Sequence, residues 1–246
     1  PEPTDPEPTK PVEPQKTVVC IPYLRPTTFV YNGKSQAPTL EKHYKHVAVS
    51  SDSILSATDV GTYKVTFKLK DKATMTWTDG TTRDIVCEWK ITQKVVELEW
   101  GRTTWPYDGK EHSTTCAVSN LCGDDKCVVT LEGNSITNVG KKDVTAIKLS
   151  NKNYKLPDDV TRTLTITNSS LGDIVSKDAT FIYDGEEHTI DDVICNVEGA
   201  KVVYSVDNKD FFYKKPVFTE AGTYKIYWAV MKNGYETVDG YNTLTI

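Results

Sequence analysis

Apolar and polar residues alternate along many short stretches of this chain. In TYKVTFKLK, for example, Tyr63, Val65, Phe67 and Leu69 lie on one face, and Thr62, Lys64, Thr66 and Lys68 lie on the other. The same pattern recurs in RDIVCEWKI, VVELEW, CVVTL, AKVVYSV and TYKIYWAV. A period of two predicts strands with one buried face, and no stretch has a convincing helical period. Gly, Asn and Asp separate the stretches at intervals of about 8 to 12 residues, which is typical of antiparallel β-sandwiches.

The pattern recurs three times at the scale of a domain. The segments YNGKSQ, YDGKEH and YDGEEH start at Tyr31, Tyr107 and Tyr183, which are spaced 76 residues apart. Each is followed by a second landmark, VGTYKVTFKLKD, VGKKDVTAIKLSN or AGTYKIYWAVMKN, and each repeat closes with EWKI or TLTI. Landmarks that recur in the same order indicate tandem modules. The sequence therefore predicts three β-sandwich modules arranged end to end.

We expect the modules at residues 16–93, 94–167 and 168–246, after a linker at residues 1–15. Six of the twelve prolines lie in the opening PEPTDPEPTKPVEP. Pro alternating with Glu, Asp, Thr and Lys cannot form a core, so this segment is predicted to be an extended, semi-rigid linker. At roughly 3.3 Å per strand residue, three sandwiches end to end predict a rod on the order of 100 Å long.

The YNG and YDG segments could be either turns or a binding motif. Asn-Gly and Asp-Gly between apolar residues predict a type I′ hairpin turn, because both central residues must accept positive φ. His112 and His188 occupy the position of Gln36 in the first module. Since glutamine cannot replace histidine in acid–base chemistry, we interpret both histidines as structural.

These motifs resemble a known family. FVYNGKSQAP with DVGTYKVTFKLKD, TTWPYDGKEH with VTRTLTI, and TFIYDGEEHTI with TEAGTYKIYWAVMKN are similar to bacterial immunoglobulin-like repeats of the MBG type, which occur in tandem in large surface proteins of Firmicutes-like microbes. The resemblance covers Lys16 to Ile246. It implies an all-β fold of three tandem immunoglobulin-like antiparallel β-sandwiches in an extracellular protein without catalytic residues. The second module has Lys141-Lys142 where the others have Thr-Tyr, so we expect less regular packing there.

The net charge and the hydropathy of the sequence limit the classes of partner that we expect. Thirty-four acidic residues outnumber 29 Lys and Arg, for a net charge of −5, and no basic run interrupts that balance. Nucleic acid and anionic membrane are therefore not expected as partners. No stretch approaches the roughly 18 consecutive apolar residues of a spanning helix, so we expect no membrane insertion within these residues.

Cysteines could cross-link modules of this size, which bury only about 60% of their unfolded surface. The six cysteines are Cys20, Cys87, Cys116, Cys122, Cys127 and Cys195. Cys20 and Cys87 fall in the predicted first and last strands of module 1, and a bond between them would contribute roughly 4 kcal/mol in the chain-entropy model. Cys122 could pair with Cys127 across CGDDKC, with Cys116 as a competitor for Cys127, and Cys195 has no partner in its own module.

A second kind of cross-link is a Lys-Asn isopeptide bond, which some surface modules of Gram-positive bacteria carry. Lys177 and Asn242 lie in the predicted first and last strands of module 3 and form the pair to test. An intact mass lacking one ammonia would support the bond.

Candidate chemistry is sparse. No Ser-His-Asp or Cys-His set is indicated, and CGDDKC has too few oxygen ligands at alternating positions for calcium. His43 and His46 in HYKH could contact a ligand, although a solvated loop is the simpler interpretation, and no metal or cofactor is predicted. Trp77, beside an Asp-Gly turn, is the best candidate for an exposed ligand contact, although the resemblance includes a Trp before this turn and favours a core position.

We therefore expect a non-enzymatic, extracellular segment of a microbial cell-surface protein. It would act as a stalk, spacer or adhesion scaffold, attached to the cell through regions outside these residues. The alternative is a ligand-binding adhesin segment, or an accessory module of a secreted carbohydrate-active enzyme, that contacts a host or matrix glycan or protein. We expect the chain to be a monomer.

Overall fold

The computed structural model describes residues 15–40 and 44–246. These residues divide into two compact units. Unit one contains the described residues up to Glu99 together with Ala117–Thr130 and Ile147–Asp159. Unit two contains Trp100–Cys116, Leu131–Ala146 and Val160–Ile246. The middle repeat thus contributes residues to both units, and the module borders stay a prediction from the sequence.

The described residues form short strands and a single-turn 3-10 helix. In the first repeat these are β1 (Thr17–Val19), β2 (Leu24–Arg25), β3 (Thr28–Val30), β4 (Thr39–Leu40), the 3-10 helix (Tyr44–His46), β5 (Val47–Val49), β6 (Gly61–Leu69), β7 (Met75–Trp77) and β8 (Ile85–Thr92). In the second repeat they are β9 (Lys94–Val95), β10 (Leu98–Trp100), β11 (Thr104–Pro106), β12 (Cys116–Val118), β13 (Val129–Glu132), β14 (Gly140–Leu149), β15 (Tyr154–Lys155) and β16 (Thr161–Thr167). In the third they are β17 (Ile174–Val175), β18 (Ala179–Thr180), β19 (Ile194–Cys195), β20 (Lys201–Ser205), β21 (Thr223–Met231) and β22 (Val238–Thr245).

Each repeat builds a four-stranded sheet with the same strand order. The orders are β3-β8-β6-β5, β11-β16-β14-β13 and β18-β22-β21-β20. The two long central strands run antiparallel, with Tyr63 opposite Trp89 in the first sheet. In each sheet, the strand that comes first in the sequence pairs in parallel with the strand that comes last in the sequence. In the first sheet, for example, Phe29 of β3 pairs with Ile91 of β8. The three sheets therefore repeat one topology.

The core of unit one lies between two layers of strands. Val65, Phe67 and Trp89 point from the four-stranded sheet toward Val19 and Trp77, which belong to the small β1-β7 sheet, and all five side chains are buried. The alternation in TYKVTFKLK thus appears as one buried face and one partly exposed face. This two-layer arrangement confirms the predicted all-β fold of tandem immunoglobulin-like sandwiches.

Unit two contains two further clusters of buried apolar side chains. One surrounds Trp105, Val144 and Leu164, and the other includes Ile226 and Trp228 of β21.

One strand prediction fails at its end. AKVVYSV predicts Val206 inward, but β20 ends at Ser205 and Val206 is exposed. Among the described residues, no helix is long and apolar enough to cross a bilayer.

Candidate functional site

Trp77, the predicted ligand contact, lies in the core. Its side chain is fully buried, and its indole Nε1 donates a hydrogen bond to the Arg83 carbonyl oxygen at 2.6 Å. Asp79 carries the Asp-Gly turn by accepting the Thr81 amide at 2.9 Å. A side chain with no exposed surface cannot contact a ligand. The candidate ligand contact at Trp77 is therefore wrong, and the core position that the sequence favoured is correct.

The structure describes only one of the two histidines of HYKH. His43 lies outside the described residues. His46 ends the 3-10 helix and is half-buried, and its backbone carbonyl accepts the Lys70 amide at 3.0 Å. In residues 15–40 and 44–246, no group of three or more His, Cys, Asp or Glu side chains is placed to hold a metal ion. A ligand contact at these histidines stays a prediction.

The predicted disulfide between Cys20 and Cys87 is absent, and both residues are free thiols. The first strand, β1, pairs with β7 rather than with the last strand, which leaves Cys20 exposed. Cys87 is half-buried, and its thiol points to the Pro22 carbonyl at 3.6 Å. The disulfide prediction failed because it placed the first strand beside the last, whereas β1 pairs with β7 and β8 lies in the four-stranded sheet.

The other four cysteines are also free thiols. Cys122 does not bond to Cys127. Its sulfur instead lies 3.6 Å from Lys94 Nζ. Burial raises the pKa of the Cys116 thiol, which has no disulfide partner either, and Cys195 is half-buried in the third repeat. The predicted cross-link of CGDDKC is therefore corrected to a turn without a disulfide.

Asn242, the predicted isopeptide partner of Lys177, is engaged elsewhere. Its Oδ1 accepts a hydrogen bond from Trp228 Nε1 at 2.7 Å, and its Nδ2 donates to Asp178 Oδ1 at 3.2 Å. Lys177 is exposed, whereas Asn242 is buried. The structure therefore gives the isopeptide bond no support.

The YNG and YDG segments form the same turn in all three repeats. Asn32, Asp108 and Asp184 each accept, through Oδ1, a hydrogen bond of 2.9 Å from the amide two residues further along the chain. Only the glycine of each segment has positive φ, between 74° and 82°. These are Asx turns, whereas a type I′ turn needs two residues with positive φ. The turn is confirmed, but the hairpin is wrong because the preceding strand pairs with the last strand of its repeat.

His112 and His188 complete this turn in the second and third repeats. Each Nε2 lies 2.9 or 2.8 Å from Oδ1 of the turn aspartate. Each ring also stacks on the aromatic residue before the turn, at 5.0 Å from Trp105 or 4.2 Å from Phe181. In the first repeat Gln36 instead donates to a backbone carbonyl at 3.2 Å. These contacts support the structural interpretation of both histidines.

We expect acid to loosen the turns of the second and third repeats but not that of the first. The backbone amide, followed by the histidine, lowers the pKa of Asp108 and Asp184 from the usual 3.8. A lowered folded-state pKa means that this stabilisation is present above about pH 4 and is lost as the pH falls through the folded value. Asn32 does not titrate and is the internal control. By NMR, the amide shifts of Lys110 and Glu186 should move between about pH 5 and pH 2, and equal movement of the corresponding amide in the first repeat would contradict this.

Tyr31 of the first turn lies at a contact between the first two repeats, within unit one. It meets Tyr154 edge-on, with ring centroids 5.3 Å apart and an interplanar angle of 79°. Asp125 Oδ2 accepts a hydrogen bond from each hydroxyl, at 2.7 Å from Tyr31 and 2.6 Å from Tyr154. The two tyrosines are only 5% and 2% exposed. We name Tyr31, Asp125 and Tyr154 the first tyrosine junction.

Polar contacts extend this junction. Asn153 donates to Asp59 Oδ1 at 2.9 Å and accepts, also at 2.9 Å, the backbone amide of the residue after Asp59. Gln93, just after β8, donates to the carbonyls of Lys152 and Tyr154, each at 3.0 Å. Because hydrogen bonds depend on direction, this set ties one repeat to the next in a single geometry.

The protonation states of Asp125, Tyr31 and Tyr154 favour the hydrogen bonds that hold the first tyrosine junction together. Hydrogen bonds from Tyr154 and then Tyr31 lower the pKa of Asp125. The bond to Asp125 raises the pKa of Tyr31, and burial followed by the same carboxylate raises that of Tyr154. Both hydroxyls therefore stay protonated near neutral pH and donate to a charged acceptor, which makes strong hydrogen bonds.

An equivalent contact joins the second and third repeats, within unit two. Tyr107 meets Tyr235 edge-on, at a centroid distance of 6.2 Å and an angle of 80°. Ser169 donates its amide to the Gly234 carbonyl at 2.9 Å and its hydroxyl to the Tyr107 carbonyl. Gly234 lies against the Tyr107 ring, where a Cβ would stand 2.2 Å from a ring carbon. We name Tyr107, Ser169, Gly234 and Tyr235 the second tyrosine junction.

We expect Gly234→Ala to open the second junction. The new methyl group would overlap the Tyr107 ring, and the φ of 83° disfavours alanine, for a combined loss of about 1–3 kcal/mol. Hydrogen exchange of the Ser169 amide should become faster. Gly199→Ala is the matched control, because Gly199 has a φ of 74° but open space where a methyl group would stand. Equal effects of both substitutions at Ser169 would contradict the role of the ring contact.

A groove of about 750 Å³ adjoins the second junction. Tyr107, Asp108, Lys201, Lys232 and Tyr235 contribute to its lining. The ammonium group of Lys232 lies 4.6 Å from the Tyr235 ring centroid and also donates to a backbone carbonyl at 2.8 Å. The groove thus combines aromatic rings with charges of both signs.

Sequence reasoning missed the junction partners Tyr154 and Tyr235. Both follow an Asn-containing turn, NKNY or KNGY, after the long strand that precedes the last strand of their repeat. Both also pair in parallel with the first residues of their repeat, Tyr154 with Lys94 and Tyr235 with Ser169. The first repeat has Met75 at this place. A tyrosine shared by the second and third repeats was the available signal.

Comparison with known proteins gives remote structural similarity. No protein-family model and no curated protein match the sequence. The N-terminal eight Ig domains of Down syndrome cell adhesion molecule isoform 1.30.30 share 10% identity over 91% of this chain and 36% of that chain, with a TM-score of 0.27. This chain thus spans about a third of that structure's length.

Two further structures are similar over 91% of this chain. The insect immune protein hemolin shares 13% identity over 76% of its own chain, with a TM-score of 0.23. The Bacteroides ovatus mixed-linkage glucan utilization locus protein SGBP-B, solved with a mixed-linkage heptasaccharide, shares 10% identity over 70% of its chain, with a TM-score of 0.18. Similarity at this level carries no argument about function, so the fold assignment depends on the strand order and cores described above.

Proposed function

We propose that this chain is a non-enzymatic, extracellular segment of a microbial cell-surface protein, made of immunoglobulin-like repeats of the MBG type. It acts as a stalk or adhesion scaffold and is attached to the cell through regions outside residues 1–246. The observation that carries the proposal is the pair of tyrosine junctions. A spacer must hold each repeat in place against the next one. Edge-on tyrosine pairs supported by hydrogen bonds provide such a contact at both junctions.

The features that recur along the chain also support this function. The Asx turns, the sheet order and the tyrosine contacts are shared between repeats, and each holds the fold or joins one repeat to another. A catalytic site would instead need a nucleophile, a base and a stabilising group brought together in one place. The net charge of −5 further disfavours nucleic acid as a partner.

Small-angle scattering tests the scaffold function. We expect the wild-type chain to show a maximum dimension on the order of 100 Å. A variant with Tyr31→Ala and Tyr107→Ala should sample a broader range of dimensions, because both junctions lose their first ring. Tyr183→Ala is the matched control, since it removes the exposed tyrosine of the same motif. A compact wild-type particle, or a double variant that scatters like the wild type, would overturn the proposal.

The groove beside the second junction favours a second candidate function, binding of a glycan or host protein by an adhesin or by an accessory module of a carbohydrate-active enzyme. A glycan and host-protein binding screen tests it. Micromolar binding that Lys201→Ala and Lys232→Ala abolish at unchanged thermal stability would establish this function. Lys225→Ala is the control, because Lys225 also lies over a tyrosine ring, at 4.5 Å, but does not line the groove.

A further inference from the structure

Tyr183 occupies the place in the third repeat that Tyr31 and Tyr107 occupy in the first and second. Its turn has the same geometry, with Asp184 Oδ1 accepting the Glu186 amide at 2.9 Å. Its surroundings differ, because Tyr183 is 58% exposed, whereas Tyr31 is 5% exposed and Tyr107 is half-buried. The third repeat therefore presents a copy of the junction surface that the described residues do not cover.

The strand before Tyr183 shows the same difference. Phe181 is 40% exposed, whereas Trp105 at the equivalent position is 9% exposed and Phe29 is half-buried. The turn itself does not account for this, since its hydrogen bond and its glycine φ match those of the other repeats. We name Phe181, Tyr183 and Gly185 the third tyrosine surface.

The turn tyrosine of the first two copies is covered in the same way. In each, a tyrosine of the following repeat stands nearly perpendicular to the turn tyrosine, at 79° for Tyr154 and 80° for Tyr235. In each, the covering repeat continues directly from the last strand of the repeat that it covers. Lys94 is two residues beyond the end of β8, and Ser169 is two residues beyond the end of β16. The contact therefore belongs to direct continuation of the chain from one repeat to the next.

We propose that the third tyrosine surface binds a further repeat of this type, joined directly after Ile246 and carrying a tyrosine at the position of Tyr154 and Tyr235. A second copy of this chain is a poorer match, because its first repeat has Met75 at that position. Methionine supplies neither a ring edge nor a hydroxyl donor. The inference rests on the proposed scaffold function and adds a specific neighbour to it.

A fusion tests the proposal with the full chain. Residues 167–246, with Tyr183→Phe in the appended copy so that only the original Tyr183 is read, are appended after Ile246. A second copy of the third repeat then follows the first, with Thr167 placed as it is in the second junction. This repeat has its own buried core around Ile226 and Trp228. Tetranitromethane nitrates exposed tyrosines, and peptide mass spectrometry reports the rate at each position. We expect nitration of Tyr183 to be several-fold slower in the fusion than in the unfused chain.

The matched variant replaces Tyr235 by alanine in the appended copy only. It should restore fast nitration of Tyr183 while leaving Tyr31 slow. A second fusion, with residues 92–167 appended, guards against an appended repeat that does not fold. Fast nitration of Tyr183 in both fusions, with Tyr31 still slow, would overturn this inference and leave the scaffold function intact.

Two other outcomes are separable from these. Slow nitration of Tyr183 in the unfused chain at high protein concentration, together with a dimer in sedimentation, would identify a second copy as the partner and overturn the proposed occupant. Fast nitration of Tyr31 in the unfused chain would show that the first tyrosine junction does not hold. That result would remove the scaffold function and, with it, the basis for the inference.

Discussion

Replacing Tyr154 by alanine is expected to destabilise unit one by about 3–5 kcal/mol, the usual loss for a large aromatic side chain removed from a core. Tyr154 is fully buried, packs in the core cluster of unit one and meets Tyr31 edge-on. Its hydroxyl donates to Asp125 and accepts the Cys122 amide at 2.8 Å. The substitution therefore removes packing and one of the two hydroxyl donors to Asp125, and it leaves the Cys122 amide without its partner.

Tyr154→Phe separates these contributions. It keeps the ring and removes only the hydroxyl, so we expect a loss of about 1–3 kcal/mol, the range for hydrogen bonds that include a charged group. Urea unfolding followed by hydrogen exchange of unit-one peptides measures both variants. Tyr183→Ala and Tyr183→Phe are the controls, because this tyrosine is exposed, and their effects should stay within about 0.5 kcal/mol. Equal effects of alanine at positions 154 and 183 would contradict the first junction.

Trp77→Ala is expected to destabilise unit one by about 3–5 kcal/mol. The indole is fully buried between the two layers of the first sandwich, and it is fixed by its hydrogen bond to the Arg83 carbonyl. Trp77→Phe should cost less, because it keeps an aromatic ring in the core and loses one hydrogen bond and part of the volume.

Thermal unfolding and a ligand screen, run in parallel, decide between the core and binding roles of Trp77. Tyr23→Ala is the control, since Tyr23 is a partly exposed aromatic residue of the same repeat. We expect unchanged stability for Tyr23→Ala and a large loss for Trp77→Ala. A Trp77→Ala variant of normal stability that had lost binding to a defined ligand would contradict the buried position.

Local signals identified strands such as β6, and they identified the turns. The alternation around Val65 and Phe67 identifies the buried face of β6, because successive side chains of a strand point to opposite sides. The Asp-Gly pairs identify chain reversal, since aspartate bonds to the amide two residues on and glycine accepts positive φ. The same local signals could not choose between a hairpin and an Asx turn, because that choice depends on which distant strand pairs with the first one.

Distant contacts explain the cysteine errors too. Cys20 and Cys87 fall in the predicted first and last strands, but a disulfide needs Cα atoms within about 4.4–6.8 Å of each other. That distance depends on how β1 and β8 are placed, and β1 pairs with β7 at Met75 and Trp77. The contact of Cys122 with Lys94 likewise depends on how distant segments of the chain are placed. Periodicity assigns a face to a residue but does not assign its neighbour on that face.

Repeat number, fold class and turn positions could be read from the chain alone, because periodicity and recurring landmarks are local properties that survive without knowledge of the fold. The tyrosine junctions could not. Tyr31 and Asp125 are separated by 94 residues and meet through one hydrogen bond, and nothing in either neighbourhood marks the other as its partner. Folding brings them together because two repeats must pack at their ends, and the side chains that carry the proposed function are those that this packing buries.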